Sequence, residues 1–378
     1  MCCRMTWKAM AGALLLTLSL ILLGWGAEGQ ENGGDKKKVL GSSTVNLGQN
    51  THDWRPLIHT TVNLSEIRSI KSSFEFRTFD PEGLIFYGDT KNGDDWFILS
   101  LKDGVPLMQI SKGVLVSVAG NPRLNDGKWH TMEVSNQGKF VKLEEVIYGK
   151  LRLALGGILI SKEKMILQFN PKMDGCVRKG NWLNLTSPWV AEADELQPCY
   201  ENIQPGSYFP GTGFAIFNTS DFQIDGDHEV HIELWGDFSQ MDGTLLSIKA
   251  DGEELMFSVV ADNNTKNFTF TSREEVFTMK NTFKRLQIKF LKDSLRVVKH
   301  EEESSADFSV SAGSNTGYLS AWRDGHLAIG GLLGENDDDV GSQFLTGCLE
   351  KIQVQGKDLD LDLARVKHVS VSSHSCPA

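Results

Sequence analysis

From Ser72 to Tyr87 the chain reads Ser-Ser-Phe-Glu-Phe-Arg-Thr-Phe-Asp-Pro-Glu-Gly-Leu-Ile-Phe-Tyr. Over Ser73–Phe79 apolar and polar residues alternate at period two, the signature of a strand with one face on a core and one toward solvent. Asp80-Pro81 breaks the run, and Leu84-Ile85-Phe86-Tyr87 follows as a short apolar strand. Trp96–Leu101 repeats the pattern, bounded by Gly93-Asp94 and Asp103-Gly104, and Asn125-Asp126-Gly127 punctuates the next stretch. No segment of comparable length carries a helical period. These residues predict an all-β chain.

Outward from this stretch the sequence repeats itself. Glu82-Gly-Leu-Ile-Phe86 is answered by Asp242-Gly-Thr-Leu-Leu246, and Trp129–Val134 by Phe283–Ile288. Leu153-Ala-Leu-Gly-Gly157 is answered by Leu327-Ala-Ile-Gly-Gly331, and Asp174-Gly-Cys176 by Thr346-Gly-Cys348. Four landmarks in one order describe a duplicated domain, with the boundary in the Pro/Gly-bearing stretch Gln204–Pro210. The chain of 378 residues, 40% hydrophobic, is long enough for two cores. The expected organisation is a signal peptide over 1–29, a flexible polar leader over 30–53, and domains over 54–203 and 204–378.

The amino terminus supports export. Arg4 and Lys8 precede the apolar run Ala11–Trp25, and the small residues Gly26, Ala27 and Gly29 suit a cleavage site. The run is short for a membrane span and none follows, so a secreted protein without membrane insertion is expected. Cys176, Cys199, Cys348 and Cys376 remain after removal of that segment. Three pairings are possible; the spacing favours Cys176–Cys199 and Cys348–Cys376. Asn63, Asn184, Asn218, Asn263 and Asn267 begin Asn-x-Ser/Thr triplets and are candidate glycan sites. A formal charge of −11 argues against nucleic acid as a partner, because phosphate would be repelled. Nucleophile, zinc-protease and phosphate-loop motifs are missing from the sequence, so no enzyme is expected.

The strings Phe79-Asp-Pro-Glu-Gly-Leu-Ile-Phe-Tyr87, Asn125-Asp-Gly-Lys-Trp-His130, Leu155-Gly-Gly157 and Asp174-Gly-Cys176 resemble the landmarks of laminin G-like domains. The resemblance covers nearly all of the chain beyond the leader and implies two tandem jelly-roll antiparallel β-sandwiches. Two such domains directly after a signal peptide are similar to the branch of the family that carries sex steroids, androgens and oestrogens, as homodimers. That likeness implies a steroid held between the sheets of the first domain. Ser72 would bond the ring-A oxygen and Asp95 the 17-hydroxyl, with Phe97 on the steroid face and Val134 and Leu151 as walls. Lys112 stands where the family has an Asn beside the acid; it only donates, so the hydroxyl would accept from Lys112 and donate to Asp95.

The resemblance also implies a structural calcium at Asp80, Glu82 and the backbone carbonyl of Lys172, hard oxygen donors of the right kind. No zinc site is expected beside the steroid. A different use of the same domain would be calcium-dependent recognition of a protein or an acidic glycan at that rim. One departure concerns the interval before the Leu-Gly-Gly strand. It holds 17 residues in the first half (136–152) and 36 in the second (291–326), so the first domain is expected to be short by about a strand and its loop.

Overall fold

The computed structural model describes residues 2–7, 38–39, 44–49, 53–66, 71–136, 149–181, 189–191, 199–222, 229–250, 255–272, 275–291, 294–300, 305–311, 318–334, 340–341 and 343–378. The chain divides into two compact units, Met1–Cys199 and Tyr200–Ala378. Both are built from sheets whose described strands pair antiparallel, apart from one parallel pair in the first unit. The only helix among the described residues that exceeds a single turn of three residues is α1 (Tyr318–Arg323). No described helix is long and apolar enough to cross a membrane.

In the first unit the larger sheet is ordered β2 (Lys38–Val39), β13 (Trp189–Ala191), β4 (Ile58–Asn63), β11 (Lys150–Leu155), β6 (Gly83–Thr90), β7 (Asp95–Lys102), β8 (Val105–Ser111) and β9 (Leu115–Ala119). The facing sheet is ordered β1 (Cys2–Trp7), β10 (His130–Asn136), β5 (Lys71–Thr78), β12 (Gly175–Asn181) and β3 (Val45–Asn46). The period-two alternation acts as expected. Phe74 and Phe76 of β5 and Leu99 and Leu101 of β7 enter one core with Ile85, Phe86, Met132 and Leu153. On β7 the intervening Trp96 and Ile98 face the other way, into a second layer with Tyr87, Ile158, Met165 and Phe169. The outer face of the larger sheet is thus also covered. Gln109 of β8, fully buried, fastens this cover by accepting from the Ile166 amide at 2.8 Å and donating to the Leu167 carbonyl at 3.1 Å.

The second unit repeats the plan. Its larger sheet is ordered β21 (Glu275–Lys280), β20 (Asn267–Ser272), β19 (Leu255–Asp262), β18 (Gly243–Ala250), β25 (Gly325–Ile329), β16 (Ala215–Asn218) and β31 (Val366–Lys367). Facing it are β24 (Ser305–Ser311), β23 (Ser294–His300), β22 (Arg285–Phe290), β17 (Val230–Trp235), β29 (Lys351–Val354) and β30 (Lys357–Asp358). The short pairs β14 (Ile203–Pro205) with β32 (Ser375–Pro377), β15 (Ser207–Pro210) with β28 (Thr346–Leu349), and β26 (Leu332–Leu333) with β27 (Val340–Gly341) complete it. The duplication reaches atomic detail. A Cβ on Gly83 would lie 2.3 Å from the Lys172 carbonyl oxygen, and one on Gly243 would lie 2.1 Å from that of Phe344. At both corners only glycine admits the passing backbone, and both have positive φ. Disulfides join Cys176 to Cys199 and Cys348 to Cys376, with Cα separations of 6.2 and 5.9 Å.

One expectation needs correction. Within 30–53, read as a flexible leader, β3 pairs Val45 with Val177 and Asn46 with Cys176, and Val45 and Leu47 are buried. Two apolar residues in a polar stretch are enough to seat an edge strand on an existing sheet. In the second unit the interval between β22 and β25 holds β23, β24 and α1. The corresponding residues 137–148 of the first unit lie outside the described residues, as do the run Ala11–Trp25 and Asn184. Where β22 pairs with β23, β10 pairs in parallel with β1.

Candidate ligand site in the first unit

Strand register places the six candidate residues. Ser72 of β5 lies opposite Val134 of β10, and Ser72, Phe74 and Phe76 share the inward face of β5. Ser72 is 1% exposed. On the facing sheet one row runs Leu151–Thr90–Asp95 across β11, β6 and β7, and the next inward row runs Leu153–Gly88–Phe97. Leu151 and Leu153 belong to the inter-sheet core and Phe97 packs against it, so Asp95, in register with Leu151, stands on the same face at the start of β7. Asp95 is half-buried. Lys112 follows the Trp96–Ser111 pair at the β8–β9 hairpin and is exposed; its amide donates to the Val114 carbonyl at 3.2 Å. Five of the six residues therefore face the space between the sheets, and the sixth sits at its margin beside the row of Asp95.

Phe97 owes its position to a residue that sequence reading passed over. A Cβ on Gly88 would come within 2.5 Å of two Phe97 ring atoms, so the ring lies directly on the Gly88 backbone. It meets Phe86 edge-on at 5.3 Å between centroids, and Phe86 meets Phe74 at 6.3 Å. A glycine in the middle of a strand marks a close approach of this kind. That signal was present in Tyr87-Gly88-Asp89.

On the opposite side of β6 and β11, Asp89 is 2% exposed and accepts from the Tyr87 hydroxyl and from Arg152, whose Nε is 2.7 Å from Oδ1 and whose Nη2 bonds Oδ2. Burial, and then the bond to Asp89, push the Tyr87 hydroxyl far above the usual phenol range. Arg152 is held above its ordinary value by its bond to Asp89, against the cost of burial. This fork joins β6 to β11 directly behind the rows that carry Leu151, Gly88 and Phe97.

The calcium candidates also converge on one turn. Asp80 accepts from the Asp174 amide at 2.8 Å and the Glu82 amide at 2.9 Å. Glu82 accepts from the Asn170 amide at 3.0 Å and forms an ion pair with Lys102. The Lys172 carbonyl passes over Gly83 beside them. Two carboxylates and a carbonyl suit a hard cation. The Lys102 ammonium already neutralises part of that charge, a competitor that the sequence reading missed.

The laminin G domain family matches residues 76–146, which include β7, β8, β9 and β10. Sex hormone-binding globulin of Rattus norvegicus is 31% identical over 352 residues, covering 85% of this chain and 84% of its own. The chain belongs to the sex hormone-binding globulin family. The protein of that name from Homo sapiens is 31% identical over 350 residues with the same coverage. Growth arrest-specific protein 6 of Mus musculus is 26% identical over 368 residues, which cover 54% of it. Among solved structures, domains LG4-5 of the mouse laminin alpha1 chain superpose with a TM-score of 0.59 at 20% identity, covering 93% of this chain and 99% of that one. This likeness carries the tandem laminin G fold. Membership of the sex hormone-binding globulin family places the chain among binding proteins and not enzymes.

Proposed function

We propose that this chain is a secreted carrier that holds one androgen or oestrogen between the sheets of its first unit. The observation that carries this reading is the placement of two polar residues, Ser72 and Asp95, on facing sheets around the apolar faces of Phe97, Val134 and Leu151. A steroid is a rigid apolar body with an oxygen at each end. Burying about 400 Å² of it at about 25 cal/mol/Å² yields on the order of 10 kcal/mol before the costs of association. The polar ends then set orientation. Saturable equilibrium binding of radiolabelled dihydrotestosterone, displaced by testosterone and oestradiol, is the expected result. Export into an oxidising compartment is supported by the two disulfides.

Calcium in this reading is a structural ion held by Asp80, Glu82 and the Lys172 carbonyl, where its charge would offset the two carboxylates and fix the turn. Lys102 competes for Glu82, so Lys102→Met should tighten calcium binding by about tenfold, roughly 1.4 kcal/mol, in isothermal titration. An unchanged affinity would remove Lys102 as the competitor. Use of the rim to capture a protein or acidic glycan is less well supported, because Glu82 already has a cationic partner.

The homodimer expected from the resemblance has a suitable surface. Strand β9 ends the larger sheet, and Val114, Leu115 and Val116 are 71%, 53% and 45% exposed. An apolar edge strand of this kind needs cover in a soluble protein. Leu115→Lys should convert a dimer to a monomer in sedimentation equilibrium; a variant that still dimerises would place the contact elsewhere.

A further inference from the structure

The second unit contains an open cleft of about 510 Å³ between the β16 side of one sheet and the β29–β30 side of the other. Its walls are Phe217, Phe222, Val354 and Leu359. Phe217 and Val354 belong to the core of the unit, and Phe222 and Leu359 pack against it. Phe222 also meets Phe217 at 5.9 Å and Trp322 at 6.1 Å, so the cleft opens onto the aromatic layer of the sandwich. This volume lies in the range of small-ligand sites.

Carboxylates outnumber cations among the residues that line the cleft. Asp221, Asp358 and Asp360 line it against the single cation Lys357. Asp221 and Asp358 are exposed at the rim. Asp358 bonds Gln353 at 2.6 Å and pairs with Lys351 at 3.2 Å, which, with Gln353 first, hold its carboxyl below the ordinary range despite some burial. Asp360 lies deeper. It caps the turn Leu361–Leu363 through the Asp362 amide at 2.8 Å, with His374 3.5 Å away. Burial raises its pKa, so its ionised form lacks solvent and gains from a further cation. Apolar walls with carboxylates at the mouth and one deeper repel anions and offer a neutral molecule no charged contact.

We propose that this cleft binds a small amphipathic amine, with an aromatic or aliphatic body against Phe217, Phe222 and Leu359 and its ammonium among Asp221, Asp358 and Asp360. The site is independent of the steroid reading, since every residue in it belongs to the second unit. The probe is dansylcadaverine, an aromatic body with a primary ammonium, titrated by fluorescence into the full secreted chain. Saturable binding at one site per chain is expected. Binding should weaken at least tenfold in Asp221→Asn/Asp358→Asn, two exposed positions, with the fold of the variant checked by circular dichroism. Leu363→Lys, which places an ammonium at the exposed lip of the cleft, should weaken it as much. Dansylamide, which lacks the ammonium, should bind at least tenfold more weakly, and saturation with dihydrotestosterone should leave the titration unchanged. The proposal is overturned if folded protein shows no saturable binding, if dansylamide binds as well, if either variant matches the parent, or if the steroid displaces the probe.

Discussion

Replacement of Arg152 by Met should destabilise the first unit by about 3–5 kcal/mol, the range for stranding one member of a buried ion pair. Asp89 is almost wholly buried, and Arg152 supplies two of its bonds; among the described residues the Tyr87 hydroxyl alone would remain. Methionine keeps most of the aliphatic stem, so the loss reports charge and hydrogen bonding more than packing. Asp89→Leu/Arg152→Met removes both charges and should recover most of the loss, because no unpaired carboxylate is left. Urea denaturation of the parent, single and double variants measures this. The single variant should also bind steroid more weakly, since the fork holds β6 to β11 behind Phe97 and Leu151. A single variant within about 1 kcal/mol of the parent, the worth of an exposed pair, would mean that the fork is solvent-screened and structurally minor.

A comparable loss, again about 3–5 kcal/mol, is expected in the second unit from Asp362→Asn. Asp362 accepts from Lys367 at 2.8 Å and from the Ser373 hydroxyl at 2.7 Å, and His374 lies 3.4 Å away. The Lys367 ammonium also donates to Ser373 at 2.9 Å and to the Val371 carbonyl at 3.2 Å. This cluster ties the turn Leu361–Leu363 to the carboxyl-terminal segment that ends in the Cys348–Cys376 disulfide. Burial alone would raise the Asp362 carboxyl, but Lys367 and His374 outweigh it and hold the group well below its ordinary value. The unfolded chain therefore takes up a proton here more readily than the native one. The contribution is fully present above the unfolded carboxyl pKa of about 3.9 and is lost as pH falls below it. Acid titration of the parent should show the second unit losing stability below about pH 4, with a shallower slope in Asp362→Asn. Equal slopes would remove Asp362 as the source.

The strands of both units were legible because period-two alternation and turn residues are local signals. Ser73–Thr78 lies within β5, with Phe79 just beyond its end, Leu84–Tyr87 lies within β6, and Trp96–Leu101 within β7. The disulfide pairs followed from short spacing and a repeated corner. What escaped was non-local or held by one or two residues. Asp89 and Arg152 are 63 positions apart, and nothing in either neighbourhood announces the pair. Lys102 reaches Glu82 across 20 positions. Val45 and Leu47 were hidden in a polar stretch, where the sheet they join decides their fate. For the candidate site, the residue types came through resemblance to laminin G-like domains, whereas Gly88, visible as a mid-strand glycine, could be matched to Phe97 only with the register of β6 and β7.

The most direct test of steroid carriage is equilibrium binding of radiolabelled dihydrotestosterone to the secreted parent chain, Ser72→Ala and Gly88→Val. The parent should bind one steroid per chain, displaced by testosterone and oestradiol. Ser72→Ala should weaken binding about tenfold, the worth of a net hydrogen bond of roughly 1–1.5 kcal/mol. Gly88→Val keeps Ser72 but drives Phe97 off the sheet, and should weaken binding at least as much. Folded parent protein that binds no steroid, or that binds equally well in both variants, would contradict a site between these sheets.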